Sequence, residues 1–212
     1  MKLARLASLA LFVLASACAT SKSASLAATT SSAAGPAVPA PGPAIPPQRD
    51  PPGDELVGKP APDFTAVAQD GKSVHLSALR GRWIVLYFYP KDETPGCTRE
   101  ACSFRDAWQA IAETGAVLIG ISADTSESHR AFVEHYKLPF LLVSDPDGSI
   151  GQSYGVPFAG HHQRQTIVIG SDGTVRKVYR KVNVTEHAAQ ILDDLHQASR
   201  PDGGYSTTVP GH

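Results

Sequence analysis

From about residue 56 to residue 199, short apolar runs alternate with stretches of helical periodicity. Trp83–Tyr89 is apolar throughout and reads as a strand buried on both faces. Ala116–Ser122 and Phe140–Val143 repeat that pattern, the latter introduced by Pro139. Gln165–Ile169 and Val175–Val182 form a later pair of strands joined through Asp172-Gly173, and Phe64–Leu76 reads as a hairpin around Asp70-Gly71. Three segments carry a 3.6-residue period. Thr98–Ala112 places Ala101, Phe104, Trp108, Ile111 and Ala112 on one face; Ser126–Tyr136 turns Phe132, Val133 and Tyr136 inward; and a last helix opens at Thr185 or Glu186 and runs to about Ser199. Ser149–Tyr154 is a short helical turn. Strands alternating with helices, then a late hairpin and a terminal helix, predict an α/β sandwich.

The ends of the chain lack such periodicity. Lys2 and Arg5 precede an apolar run, Leu6–Ala17, that is too short to span a membrane, which takes ~20 residues. Leu14-Ala15-Ser16-Ala17-Cys18 resembles a bacterial lipobox, which makes Cys18 a lipidated first residue after cleavage; an ordinary secretory signal is the plain alternative. Residues 18–54 are rich in Ala, Ser, Thr, Pro and Gly and cannot bury a core, so they read as a tether. The expected organisation is a signal peptide over 1–17, the tether over 18–54, a folded domain over 55–199 and a polar tail over 200–212. A net charge of −1 over 212 residues argues for no nucleic-acid partner. The chain is expected to meet a membrane only through its amino-terminal lipid, facing the periplasm. If unlipidated, it would be soluble there or secreted.

Candidate chemistry concentrates after the first long strand. Pro90-Lys91-Asp92-Glu93-Thr94-Pro95-Gly96-Cys97 is followed by Cys102, and with Cys18 these are the chain's three cysteines. A thiol in the first turn of a helix faces unsatisfied N–H groups and the positive end of the helix dipole, which favour the reactive thiolate. Thr94 places a hydroxyl three residues before Cys97, and Cys102 a second sulfur five residues after it. Cα atoms five residues apart on an ideal helix are separated by ~8–9 Å, from ~7.5 Å of rise and ~140° of rotation. A disulfide tolerates ~7 Å. A bond between these two cysteines therefore requires the helix start to unwind.

Pro90, Thr94 and Cys97 match the active-site pattern of the peroxiredoxins. The stretch from Phe88 through Cys102 resembles the peroxiredoxin Q subgroup, also called bacterioferritin comigratory proteins, with similarity from about Gly58 to Ala198. The resemblance implies a thioredoxin-like fold, with a central mixed β-sheet flanked by helices and an amino-terminal hairpin. It also implies a thiol-specific peroxidase acting on hydrogen peroxide and alkyl hydroperoxides, as a monomer, with no metal, haem or flavin. By the same resemblance, Cys97 is the peroxidatic nucleophile and Cys102 resolves its sulfenic acid to an intramolecular disulfide. Thr94 orients the peroxide, Pro90 shields the sulfur, Arg164 supplies the cation beside it, and Glu100 positions its neighbours. A thioredoxin-like dithiol recycles the disulfide.

Plainer readings stand beside these. The two cysteines could form a structural disulfide, as an exported compartment favours. They could also bind copper with a histidine, or serve thiol–disulfide exchange, in a thioredoxin-fold lipoprotein. His161-His162 reads as a loop. Asn183-Val184-Thr185 reads as a helix entry capped by Thr185.

Overall fold

The computed structural model describes residues 54–198. Signal peptide, lipobox, most of the tether and the tail all lie outside the described residues. The hairpin strands are β1 (Thr65–Val67) and β2 (Ser73–His75). The main sheet comprises β3 (Ile84–Phe88), β4 (Val117–Ser122), β5 (Leu141–Ser144), β6 (Gln165–Ile169) and β7 (Val175–Tyr179). Its spatial order is β5-β4-β3-β6-β7. β3 pairs parallel with β4, and β4 with β5; β6 is antiparallel to both β3 and β7. The parallel pairs need helical crossovers, supplied by α1 (Pro95–Asp106) with α2 (Trp108–Glu113), and by α3 (Ser126–Tyr136). α4 (Ser149–Ser153) is one short turn, and α5 (His187–Ala198) closes the domain. This mixed sheet with helices and an amino-terminal hairpin is the thioredoxin-like fold.

Period-two alternation divides the core. Val85, Tyr87 and Tyr89 point to one face, where they meet Cys97, Ala101 and Phe104 of α1, Phe132 of α3, and Ile191 and Leu195 of α5. Ile84, Leu86 and Phe88 point to the other face, against Val74, Leu76, Ile150 and Tyr154. Every residue of β3, β4 and β6 is buried, as their unbroken apolar runs require.

Local details depart from the sequence reading. The helix predicted over Thr98–Ala112 begins earlier, at Pro95, and is divided at Ala107, whose ψ of −2° ends α1. A proline at the first helical position starts the helix without losing a bond, because that N–H has no intrahelical partner anyway. The division turns Trp108 onto Phe140, with ring centroids 6.0 Å apart, and leaves Ala112 exposed instead of on the buried face. Thr185 does not cap α5: the Asn183 side chain accepts from the Thr185 amide, and the Asn183 carbonyl accepts from Glu186 and His187. Asn is the stronger former of such turns.

Gly120 is the tightest point of the active-site layer. A Cβ there would lie 2.6 Å from the ring and hydroxyl of Tyr87 and from a methyl of Leu142. Gly120→Ala is expected to destabilise the fold by about 1–3 kcal/mol through overpacking, measured as a lower urea midpoint at unchanged slope.

Candidate active site

The apolar strand β3 delivers the chain into a loop, Tyr89–Thr94, held by a buried carboxylate. Asp92 is 4 % exposed. It accepts hydrogen bonds from the Tyr89 hydroxyl at 2.7 Å and the Ser128 hydroxyl at 2.7 Å, and lies 2.9 Å from His129 Nδ1. Its own amide donates to the Asp124 carboxylate at 2.8 Å. Glu93 follows at φ 60°, the left-handed region that non-glycine residues rarely adopt. Its carboxylate accepts from the Tyr136 hydroxyl at 3.0 Å and lies 3.2 Å from His135 Nδ1. Two adjacent acids thus fasten the loop to α3.

Thr94 is the residue before α1 and has extended backbone geometry. Its carbonyl accepts from the Thr98 amide, but its hydroxyl donates to the Lys91 carbonyl at 3.0 Å and caps no helical amide. The sequence reading gave that hydroxyl to the sulfur and the peroxide. In the structure its proton goes to the loop, and only its lone pairs remain for a ligand. Pro90 is half-buried beside the loop.

Cys97 falls in the first turn of α1 and is 2 % exposed. The N–H groups of Gly96 and Cys97 have no intrahelical acceptor by their position. Across from them Arg164, in the residue before β6, sends Nη2 to the Cys97 sulfur at 3.1 Å and Nη1 to the Glu100 carboxylate. The guanidinium passes close over Gly96, where a Cβ would lie 3.4 Å from Arg164 Nη2, an ordinary contact distance. One guanidinium therefore joins a thiol and a carboxylate that lie one helical turn apart on α1.

The electrostatics follow from burial. Glu100 is 1 % exposed, and desolvation pushes its carboxyl up to about 7, although Arg164 pulls it down. Burial also works against the charge on Arg164, but Glu100 and Cys97 outweigh it and hold the guanidinium above its ordinary value. Beneath the site, burial raises the Tyr87 phenol well above its usual range, and the charges of Glu100, Asp92 and Cys97 add to this. Its hydroxyl is buried with no hydrogen-bond partner, and its ring stacks on Tyr89 with centroids 5.3 Å apart.

Cys102 lies on the same intact helix, half-buried, and both cysteines are free thiols. The structure thus brings Cys97, Glu100 and Arg164 into contact, with Thr94 and Pro90 alongside, and places Cys102 further along α1. Among the described residues no group of three or more His, Cys, Asp or Glu is arranged to hold a metal ion. The sequence reading missed the depth of Asp92 and His129. His161-His162 lies in a loop as the sequence predicts, but only His161 is exposed, whereas His162 is fully buried against Phe88 and Phe158.

Similarity to known proteins agrees with this geometry. The sequence model of the AhpC/TSA family matches residues 57–178. The chain is 40% identical over 147 residues to a putative peroxiredoxin bcp of Coxiella burnetii, covering 66% of this chain and 97% of that one. It is 42% identical over 151 residues to peroxiredoxin Bcp of Bacillus subtilis, covering 68% and 96% respectively. Among solved structures, peroxidoxin BcpB of Mycobacterium tuberculosis superposes with a TM-score of 0.63 at 35% identity, over 68% of this chain and 98% of that one. The chain belongs to the AhpC/TSA family, within its peroxiredoxin Q and Bcp subgroup. Its chemistry is that of a thiol-dependent peroxidase with thioredoxin-linked recycling.

The displaced Glu100 carboxyl has a consequence for stability. Its folded-state value of about 7 lies above the ordinary 4.5. Between those values the folded chain holds a proton that the unfolded chain releases, so this group's contribution falls as pH rises through the window and levels off above it. Glu100→Gln is expected to flatten the decline of Tm between pH 4.5 and 7, measured by thermal melts in buffers of matched ionic strength.

Proposed function

We propose that Cys97 is the peroxidatic residue, and the observation that carries this is the Arg164 guanidinium 3.1 Å from its sulfur at the start of α1. The thiolate attacks one oxygen of R–O–O–H. The S–O bond forms as the O–O bond breaks, and the leaving oxygen takes a proton to become water or an alcohol. The products are a sulfenic acid on Cys97 and a reduced peroxide. Arg164 holds the thiolate and the negative charge that develops on the oxygens, and the free amides of the first helical turn face the same space. Glu100 aims the guanidinium, Pro90 keeps bulk water from the sulfur, and the lone pairs of Thr94 Oγ1 accept a hydrogen bond from the peroxide O–H.

Cys102 then attacks the Cys97 sulfenic sulfur. The S–S bond forms, hydroxide leaves with the thiol proton as water, and over-oxidation is averted. A thioredoxin-like dithiol reduces the disulfide by exchange. The substrates are hydrogen peroxide and small alkyl hydroperoxides, and the working unit is a monomer. The lipobox supports export, cleavage before Cys18 and a lipid anchor at that residue. The Pro-rich composition of 18–54 then supports a tether between the anchor and a peroxidase domain over 55–199, followed by a tail over 200–212.

Peroxide consumption by the full chain with a dithiol reductant tests these roles. Cys97→Ser is expected to abolish turnover. Cys102→Ser is expected to allow one turnover and then stall or over-oxidise. Wild-type inactivity, or activity retained in Cys97→Ser, would overturn the assignment and send attention to copper binding by the purified chain.

The two cysteines on one intact helix add a second expectation. Amide exchange across residues 97–105 should be slow in the reduced protein and fast in the disulfide form. Equal protection in both forms would show that the bond closes without unwinding.

A further inference from the structure

The loop between α4 and β6 decides where Arg164 lies, and it is fastened by an unusual set of contacts. It turns back on itself: Phe158 bridges His162, the Gln163 amide donates to the Pro157 carbonyl at 3.0 Å, and Gly160 makes the turn at φ 75°. The rings of Phe158 and His162 then lie on α4. A Cβ on Gly148 would come within 2.3 Å of the Phe158 ring, and one on Gly151 within 2.5 Å of the His162 ring. Both positions therefore require glycine, so the two rings press directly onto backbone.

His162 is fully buried, and its ring stands edge-on to Phe88, the last residue of β3, with centroids 5.4 Å apart. Its Nε2 lies 3.0 Å from Asp145 Oδ2, off the direction of an aligned hydrogen bond. That carboxylate is 2 % exposed and accepts from the amides of Ile150 at 3.2 Å and Gly151 at 2.9 Å. Burial pushes the Asp145 carboxyl up, but His162 and these amides outweigh it and hold it below its ordinary value. The Asp145 amide in turn donates to the Ser122 carbonyl at the end of β4. A continuous set of contacts thus runs from the end of β4 through Asp145 to His162, and two residues later the chain presents Arg164 to Cys97.

We propose that His162 is a positioning residue for the reaction: its buried contact with Asp145 and its seat on Gly151 fix the loop that aims the Arg164 guanidinium at the Cys97 sulfur. A guanidinium displaced by even an ångström stabilises the thiolate and the transition state less. His162 itself touches neither substrate nor sulfur. The inference rests on reading Arg164 and Cys97 as the reacting pair. Its test therefore uses alkylation of Cys97, which reports the sulfur's surroundings with no peroxide present.

The rate of iodoacetamide modification at Cys97 would be followed against pH in the full chain by peptide mass spectrometry, together with the rate of Cys97 oxidation by hydrogen peroxide. His162→Ala is expected to slow both at neutral pH by roughly ten- to a hundredfold and to move the alkylation profile to higher pH. His162→Gln, which keeps a donor of similar reach, should recover most of the loss. In an Arg164→Gln background, His162→Ala should slow alkylation no further, because the contact it aims is already gone. The same loss in both backgrounds, or no loss in the single variant, would overturn the proposal. Should His162→Ala fail to fold, Asp145→Asn takes its place with the same two outcomes. A chain inert to peroxide whose alkylation still obeys this pattern would refute the peroxidase roles and leave the positioning role standing.

Discussion

The site depends on one guanidinium shared between a thiol and a carboxylate inside the protein. Arg164 touches Cys97 with one nitrogen and Glu100 with the other, and neither acceptor is more than 2 % exposed. A buried cation is tolerable only when paired, and a buried carboxylate only under the same condition. Desolvation nevertheless outweighs the arginine and leaves the Glu100 carboxyl raised to about 7. The same guanidinium also donates to Cys97, where on the proposed reading negative charge must appear for the thiol to react. The geometry fixes how the guanidinium is shared: both acceptors project from one turn of α1, and the arginine reaches them from the residue before β6.

The fold serves this arrangement by building two supports from opposite sides. The thiol side hangs from β3, the central strand, through a loop tied to α3 by Asp92 and Glu93. The arginine side hangs from β6, which pairs with β3 in register so that Phe88 lies opposite Gln165. Cys97 and Arg164 thus follow or precede neighbouring strand ends. Main-chain hydrogen bonds in the sheet fix the spacing of those two strand ends, from which the flanking loops bring the thiol and the arginine together.

Most of this architecture was legible because hydrophobic runs report burial directly. The runs around β3, β4 and β6 can only be central strands, and α3 over Ser126–Tyr136 has the limits its period predicted. Pro90, Thr94 and Cys97 were picked out by their match to the peroxiredoxin pattern, and Arg164 by the same resemblance. What escaped were polar residues whose burial depends on distant partners. Asp92 and His129 are 37 positions apart, and Asp145 and His162 are equally unmarked in sequence; a periodicity argument scores each as a surface residue. The Thr94 hydroxyl escaped for a related reason, since a neighbouring carbonyl claims its proton. The break at Ala107 had no glycine or proline to announce it and follows from the packing of Trp108 on Phe140.

The contrast between loop and helix start explains how two cysteines too far apart can meet on the proposed reading. Asp92 is saturated by buried donors, so the chain up to residue 92 is costly to move. The turn that follows is the opposite. Gly96 is a poor helix former, and no side chain caps the first amides. Glu93 holds a left-handed conformation through partners on the surface, where such contacts are weak. Unwinding the first turn of α1 would therefore meet little resistance from caps or loop contacts, while the chain up to Asp92 stays anchored. The contact that opposes it is Arg164 on Cys97 and Glu100. A sulfenic sulfur no longer carries the thiolate's charge, so forming the sulfenic acid weakens that contact when Cys102 must approach. In this way the chemistry of the first step loosens the helix for the second.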